Sequence, residues 1–590
     1  MKEYIALKEK HSNEHFKLNK QYNFISIIRL FIGVSFLVCL FFCLKTGNST
    51  ILLLVLITFL SFLFLMKIHQ KITLKRRIAK TLISINEDEI AYLNNERIPF
   101  LNGIEYNDDR HPYSHDLDIF GENSLFQHVN RTSTFIGKLK LSNSMLFKLP
   151  DEGIISNQDA IKELSQKINW RQHLLALAKI TNDNKGIYER LVNWSKIKET
   201  NLPSTLIWIS YGSPIILIIG LLLFYFTKNS IYGYSAASLF LINILLLLTQ
   251  LKRIKKEISD SDKNHETIKS YSSIIESIEK ENFESSKLKS LKKQLEYKAG
   301  PVTKQIKDLS SLYADMQNIL NPIAAILLNG FFLYHIHSLK ALLNWKKEYS
   351  THISTWLDVI GEFEMLNSFA NFSYNNPNFT FPSLNTNEDI ILHDLGHPLI
   401  KTEARIANTV KFGTHKFIIL TGSNMSGKST FLRTLGINMV LAGTGAPICS
   451  SFANIQPLEI LASMRLSDSL NDSESYFFAE VKRLKQIMNR LDQTVCLILL
   501  DEILRGTNSD DKRSGTIEVI KKIISKNAIG VIATHDLEVC LTTNEYPTIL
   551  MNKCFEVEIL NNDLSFDYKL RDGICQNKSA TFIMKKMGVI

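Results

Sequence analysis

Cysteine is scarce and carries no pattern. The seven cysteines include no C-x-x-C pair, and Cys39 and Cys43 lie inside an apolar run. Neither a disulfide framework nor a zinc site is read from them, which suits a reducing compartment. The composition of a disordered chain is also missing, because 45% of residues are hydrophobic and only 21% are charged. At 590 residues the chain has room for two to four domains. A net charge of +10 permits a neighbour of anionic lipid or of nucleic acid and decides for neither.

Long apolar runs are present, and there are four of them. They span about Phe24 to Leu44, Thr50 to Met66, Ser204 to Thr227 and Ile231 to Leu251. A helix needs roughly 20 mostly apolar residues to cross the hydrocarbon core of a membrane. Arg29 lies near the end of the first run, where a long side chain can snorkel. The short connections KTGNS and KNS predict two tight transmembrane hairpins. A signal peptide is excluded for the first run, because its charged N-terminal arm is too long and no small-residue cleavage site follows. Lysine and arginine crowd the segments after the second and fourth runs, KIHQKITLKRRIAK and KRIKKE. That bias places the N-terminus, the middle region and the C-terminal half in the cytoplasm. The expectation is a multi-pass protein of the inner (cytoplasmic) membrane. A fifth apolar stretch, Ile319 to Ile336, contains Asn321, Pro322 and Asn329 and reads as a buried soluble helix. A fifth crossing would also put the C-terminal half on the wrong side.

These runs divide the chain into 1–68 (arm and first hairpin), 69–203 (cytoplasmic region), 204–251 (second hairpin), 252–388 (helical region) and 389–590. Residues 156 to 180 predict a helix with Ser156 as its cap, from Ile161, Leu164 and Ile168 at helical spacing. Ile268, Tyr271, Ile275 and Ile278, continued by Phe283, Leu288, Leu291 and Leu295, predict one long solvated amphipathic helix or coiled coil. The loop-rich NNPNFTFPSLNTNED precedes the last domain.

Three motifs in the last domain carry chemistry. KFIILTGSNMSGKST is a strand, a loop and a helix start, with G-x-x-x-x-G-K-S from Gly422 to Ser429. The loop Gly422, Ser423, Asn424, Met425, Ser426, Gly427 would turn backbone amides toward phosphate oxygens. Lys428 would reach the β- and γ-phosphates, Ser429 would ligate Mg2+, and Thr430 follows at the helix start. VCLILLDE is an apolar strand ending in Asp501, a magnesium ligand, and Glu502, a general base. Two adjacent buried acids are costly without a cation. VIATHD is a further apolar strand ending at His535, placed to meet the γ-phosphate or the attacking water. The order of the three predicts an α/β P-loop ATPase of the ABC type that binds ATP with magnesium and hydrolyses it.

The same stretches resemble the MutS family of DNA mismatch-repair ATPases. TGSNMSGKSTFLRT is similar to its phosphate loop, DEILRGTNSDD to its DE-x-x-RGT element, ATHDLE to its switch-histidine region, and SESYFFAE to its S-T-F-M-x-E signature. GAPICS at 445–450 and YKLRDG at 568–573 also fit. A weaker resemblance, LFQHVNRTSTFIGKLKL at 125–141, reaches the start of the family's core and lever region. It implies an all-α core/lever region, carrying the two hairpins, ahead of the ATPase. It further implies a homodimer in which Ser475 reaches the partner's γ-phosphate, Glu480 is the signature glutamate, Asn508 to Asp510 lie along the interface, and DNA is a possible partner.

The departures are informative. Leu504 stands where the family has glycine, and Tyr476 replaces the signature threonine. No N-terminal mismatch-reading module precedes the core, and the second hairpin occupies the place of the DNA clamp at the lever tip. Two functions follow from this: a membrane-tethered MutS-like ATPase acting on DNA, or a membrane mechanochemical ATPase with no nucleic-acid substrate. The lysines at 252–256 and 287–293 read as membrane-flanking or solvated helix faces rather than a DNA surface.

Overall fold

The computed structural model describes residues 1–181, 183–197, 201–258, 264–297, 300–387, 389–465, 476–560 and 563–575. The chain opens with two 45-residue helices, α1 (Lys2–Thr46) and α2 (Ser49–Leu93), packed as a hairpin. Each is about 67 Å long at 1.5 Å per residue. Gly47 turns the chain at φ 63, and the Asn48 side chain caps α2 by accepting the Thr50 N–H. The contacts change character along the hairpin. Toward the turn they are apolar, with Phe36 and Phe59 ring centroids 5.6 Å apart. Away from it they are polar: Ser26 Oγ lies 3.0 Å from His69 Nε2, and Arg76 donates to Asn19 at 3.1 Å. The expected boundary at 68/69 falls inside α2, because the helix runs unbroken from the apolar turn into the helical body.

That body contains α3 (Phe135–Leu146), α4 (Asp151–Gln166) and α5 (Ile168–Ile180). The single helix expected over 156–180 is therefore two, broken at Lys167. Ser156 is not a cap. It sits inside α4 and donates to the Gly153 carbonyl at 3.0 Å, while Asp151 and Glu152 occupy the favourable acidic first turn. A second apolar hairpin follows, α6 (Ser204–Thr227) and α7 (Ser230–Ile258). Among the described residues, α1, α2, α6 and α7 are long and apolar enough to cross a membrane by length and composition.

The long solvated helix expected over 268–295 is also two elements, α8 (Asn264–Lys280) and α9 (Ser286–Lys293). Its apolar residues are not a solvated stripe. Ile268, Tyr271, Ile275, Ile278, Phe283, Leu288, Leu291 and Leu295 all enter the main core. α8 packs on α10 (Val302–Gln317) and on α5. Next come α11 (Pro322–Phe332) and α12 (Tyr334–Tyr349), bent by 86° at their junction. The buried helix expected over 319–336 is contradicted, because Leu320, Ile323, Ile326, Leu327 and Phe332 are exposed.

Helix α13 (Ile353–Asn375) runs through the centre of the body and is buried along most of its length. It collects the polar groups that tie hairpin one to everything else. Glu89 of α2, buried, pairs with Arg131 at 2.5 Å and accepts from Asn371 at 2.9 Å and Asn375 at 3.1 Å. Tyr4 of α1 donates to Asn375 at 2.8 Å, and Arg171 of α5 donates to Asn371 at 2.8 Å.

The C-terminal domain is built on two sheets. The first runs β1-β5-β2-β3, from β1 (Ser383–Leu384), β2 (Ile390–Leu395), β3 (Asn408–Phe412) and β5 (Phe452–Ile455), with β4 (Phe417–Gly422) belonging to the second. The second has the order β10-β9-β4-β8-β7-β6, adding β6 (Glu459–Ser463), β7 (Cys496–Asp501), β8 (Ile529–Ala533), β9 (Leu550–Leu560) and β10 (Asp563–Asp572). Five strands are parallel and β10 is antiparallel at the edge. Central strands β4, β7 and β8 are buried throughout and mostly apolar because both faces are covered. Ile418, Leu420, Leu497 and Leu499 face the main core, whereas Phe417, Ile419, Ile498 and Leu500 face a second core on the other side.

Removing Glu89 would leave the Arg131 guanidinium buried without its counter-charge, a change that typically costs about 3–5 kcal/mol. Glu89→Ala is expected to lower the melting temperature of the detergent-solubilised protein by several degrees. An unchanged melting curve would mean that the hairpin is not held by this network.

Candidate nucleotide site

The site lies where β4, β8 and β7 end side by side, the carboxyl edge at which open α/β sheets bind ligands. β4 runs into the loop 422–427, and α14 (Lys428–Thr444) starts directly after it with its N-terminus facing the loop. Two glycines are required by the geometry. A Cβ on Gly422 would stand 2.5 Å from Ser426 Oγ. Gly427 has φ 101, and a Cβ there would meet Tyr568 at 3.0 Å. Met425 also has positive φ, at 67, and projects outward.

The predicted residues converge. Lys428 is buried and its Nζ donates to the carbonyls of Gly422 at 2.9 Å and Ser423 at 3.0 Å. Burial lowers its pKa from the usual lysine value. Ser429 Oγ donates to Asp501 Oδ2 at 2.5 Å. The other Asp501 oxygen, Oδ1, is buried without a hydrogen-bond partner. An orphaned carboxylate oxygen beside a serine hydroxyl fits the oxygen-ligand chemistry of Mg2+. His535 Nε2 lies 2.6 Å from Glu502 Oε1 and 3.3 Å from Lys428 Nζ. The hydrogen bond from His535, helped by Arg505 and Lys428, holds the Glu502 carboxyl down at about 2 despite partial burial. Glu502 is thus a carboxylate at every ordinary pH.

The turn after β7 is strained. Glu502 and Leu504 have φ of 50 and 61, in the left-handed region that side chains disfavour. Glu480, on α15 (Tyr476–Leu491), holds this turn: its carboxylate accepts the N–H groups of Leu504 at 2.7 Å and Arg505 at 3.1 Å. Leu504 occupies a glycine-like conformation because its side chain is buried. Gly515, on α16 (Ser509–Ser525), leaves the room, since a Cβ there would lie 2.7 Å from Leu504 Cδ1. Asn508 caps α16 by accepting the Asp511 N–H at 2.8 Å. Ser475 lies outside the described residues.

A cavity of about 410 Å³ opens from the phosphate loop and is bounded by Ser423's neighbours Asn424 to Phe431, by Glu502, and by a second wall. That wall holds His397, Ile406, Phe555 and Tyr568, which sequence spacing does not bring together. They come from three separate segments, the connection between β2 and β3, β9 and β10, and the YKLRDG string was the available signal. Asn408 fastens β10 over the loop by donating to the Tyr568 carbonyl at 3.0 Å and accepting the Leu570 N–H at 2.8 Å. The arrangement presents amides and a lysine to phosphates, an acid–serine pair to a divalent cation, and an aromatic–aliphatic wall to a base. Lys428→Ala is expected to weaken binding of a fluorescent ATP analogue by at least about tenfold, or roughly 1.4 kcal/mol. Equal affinity in the variant would place the triphosphate elsewhere.

Comparison with known proteins agrees with this geometry. Residues 418–589 match the family model MutS domain V, a P-loop ATPase domain. The chain is 29% identical over 238 residues to MutS protein homolog 4 of Homo sapiens, covering 38% of this chain and 24% of that protein. It is 27% identical over 220 residues to Endonuclease MutS2 of Lactococcus lactis subsp. cremoris (36% and 27% covered). It is 27% identical over 234 residues to DNA mismatch repair protein MutS of Thermotoga neapolitana (39% and 29% covered). The match thus spans about a quarter to a third of the length of these relatives. These matches identify a MutS domain V at the C-terminus and show a likeness to MutS-family proteins over about two fifths of this chain.

Proposed function

We propose that this chain is a membrane-anchored MutS-like ATPase whose nucleotide cycle opens and closes a homodimer. The observation that carries it is the pairing of a P-loop triphosphate site with four apolar helices whose surfaces the protein leaves uncovered. None of the most apolar stretch of α1 or α2 is buried inside the protein, and only 22% and 17% of those of α6 and α7. Such surfaces need lipid. The anchor is then multi-pass in the inner membrane, with the ATPase in the cytoplasm beside the lysine-rich helix ends.

In the catalytic reading, Lys428 and the loop amides hold the β- and γ-phosphates, and Ser429 and Asp501 hold magnesium. The bound cation would neutralise charge developing on the phosphates. Glu502, kept ionised, orients and polarises the attacking water, and His535 fixes the Glu502 carboxylate while facing the γ-phosphate position. The catalytic face also exposes Met425, Phe478 and Leu541. This apolar margin supports burial against a second copy, whose Ser475 would complete the site.

DNA is the proposed partner by kinship with relatives named for DNA mismatch repair. A second reading, a membrane mechanochemical ATPase without DNA, is favoured by one specific observation. Lys287 pairs with Glu362 at 3.2 Å, and Lys292 donates to the Glu281 carbonyl at 2.7 Å, so two of the four lysines at 287–293 are engaged within the protein.

ATP turnover of the purified, detergent-solubilised protein, with and without DNA, separates the two readings. Stimulation several-fold by DNA supports the first, and indifference to DNA supports the second. Glu502→Gln is expected to abolish turnover in either case, and full activity in that variant would sink the ATPase assignment. In His535→Ala the largest influence depressing Glu502 is gone. Its carboxyl should titrate nearer the ordinary range, so the acid limb of the residual pH–rate profile should shift upward. An unshifted limb would assign that limb to another group.

A further inference from the structure

We propose that α11 and the break that follows it form a re-entrant membrane element, entering the bilayer beside α6 and α7 and leaving on the face it entered. The proposal rests on the reading of α6 and α7 as a membrane hairpin. Three independent observations carry it.

The first is topological. The helix before α11 and the helix after it, α10 and α12, pack against each other, and Trp345 Nε1 donates to the Gln305 carbonyl at 2.9 Å. The chain therefore goes in and comes out on one side. An 11-residue helix is about 16 Å long, half of what a crossing needs.

The second is the surface. α11 reads PIAAILLNGFF, with no charge. One side packs on α7, where Phe331 and Phe240 ring centroids are 5.1 Å apart. The other side is open, with Ile323 72% and Leu327 50% exposed. Leu241, Leu245 and Leu248 of α7 are exposed as well, so both elements of this contact leave apolar side chains uncovered.

The third is the backbone at the break. Leu333 has φ 49, which ends the helix and frees main-chain groups. Buried side chains take them up. Asn243 of α7 donates to the Gly330 carbonyl at 2.8 Å and accepts from Ser213 of α6 at 2.5 Å. Asn329 donates to the Ala325 carbonyl at 2.6 Å and accepts the His335 N–H at 2.9 Å. Asn243 stands roughly 14 Å along α7 from Lys252 at 1.5 Å per residue. Irregular backbone at that depth persists only where protein satisfies it, and here protein does. Gly330 permits the approach, since a Cβ there would overlap the Phe240 ring at 2.0 Å.

The test uses the full chain in liposomes, with Cys39 and Cys43 replaced by serine, the five buried cysteines left in place, and one exposed cysteine introduced at Ile326, Leu245 or Ile155. Each is labelled with the fluorophore NBD, and quenching by doxyl-labelled phospholipid is compared with quenching by aqueous iodide. The expected result is strong doxyl quenching and blue-shifted emission at 326 and 245, with iodide quenching only at 155. Doxyl quenching at 245 with iodide quenching at 326 would overturn the re-entrant element while leaving the hairpin intact. Iodide quenching at both 245 and 326 would overturn the hairpin reading and this proposal with it.

Discussion

Two adjacent carboxylates end a strand that is hidden on both faces. Cations and hydrogen-bond donors converge on Asp501 and Glu502 at that strand end. Ser429 meets Asp501. His535 and Arg505 meet Glu502, and Lys428 faces both. Those partners arrive from β4, β8 and the turn after β7, so the parallel order of the three central strands is what makes the acid pair tolerable. The strained turn at Glu502 and Leu504 is the local cost of aiming the second carboxylate outward. The Glu480 carboxylate, itself buried, offsets it with two hydrogen bonds to the turn.

The same logic recurs in the helical body, where buried charge fixes the position of the first hairpin. Glu89 gathers Arg131, Asn371 and Asn375, so α2 is locked to α13 by groups that cannot be left unpaired. Glu364, on the same helix, accepts the Ser133 N–H at 2.7 Å, and burial pushes its pKa up to about 7. Two glycines let α3 and α13 approach closely. A Cβ on Gly137 would lie 2.3 Å from Glu364 Oε2, and one on Gly361 would lie 2.9 Å from Ile136 Cγ1. The body is joined to the ATPase domain by polar contacts at the sheet edge. Asp116 accepts the N–H groups of Met464 and Arg465 at 2.7 Å each, and the Ala462 N–H donates to the Pro112 carbonyl at 2.9 Å.

Local sequence was a good guide where one short segment carries the whole message. The P-loop, the acidic strand end and the histidine after β8 are each contiguous in the chain, and the structure brings the three together. The apolar runs were equally plain, because length and lack of charge are one-dimensional properties. Sequence reading failed where a pattern was right but its partner was unknown. The apolar face at 268–295 was correctly periodic, yet only packing on α5 and α10 turns a solvated stripe into core and breaks it after Lys280. Ser156 had the identity of a cap without its position. The stretch 319–336 reads as a buried soluble helix because Asn321, Pro322 and Asn329 interrupt its apolar run, while the structure leaves one side uncovered.

What the sequence determined by itself is the position of the P-loop, acidic and histidine motifs and the number of long apolar helices among the described residues, since both depend on residues close together in the chain. What only the tertiary structure decided is everything that requires distant segments to meet. His397, Ile406 and Tyr568 become one wall, Gly515 makes room for Leu504, and Asn243 satisfies the backbone at Gly330. Burial and hydrogen-bond satisfaction are properties of neighbours in space, and a one-dimensional pattern states which groups need partners without saying where they come from.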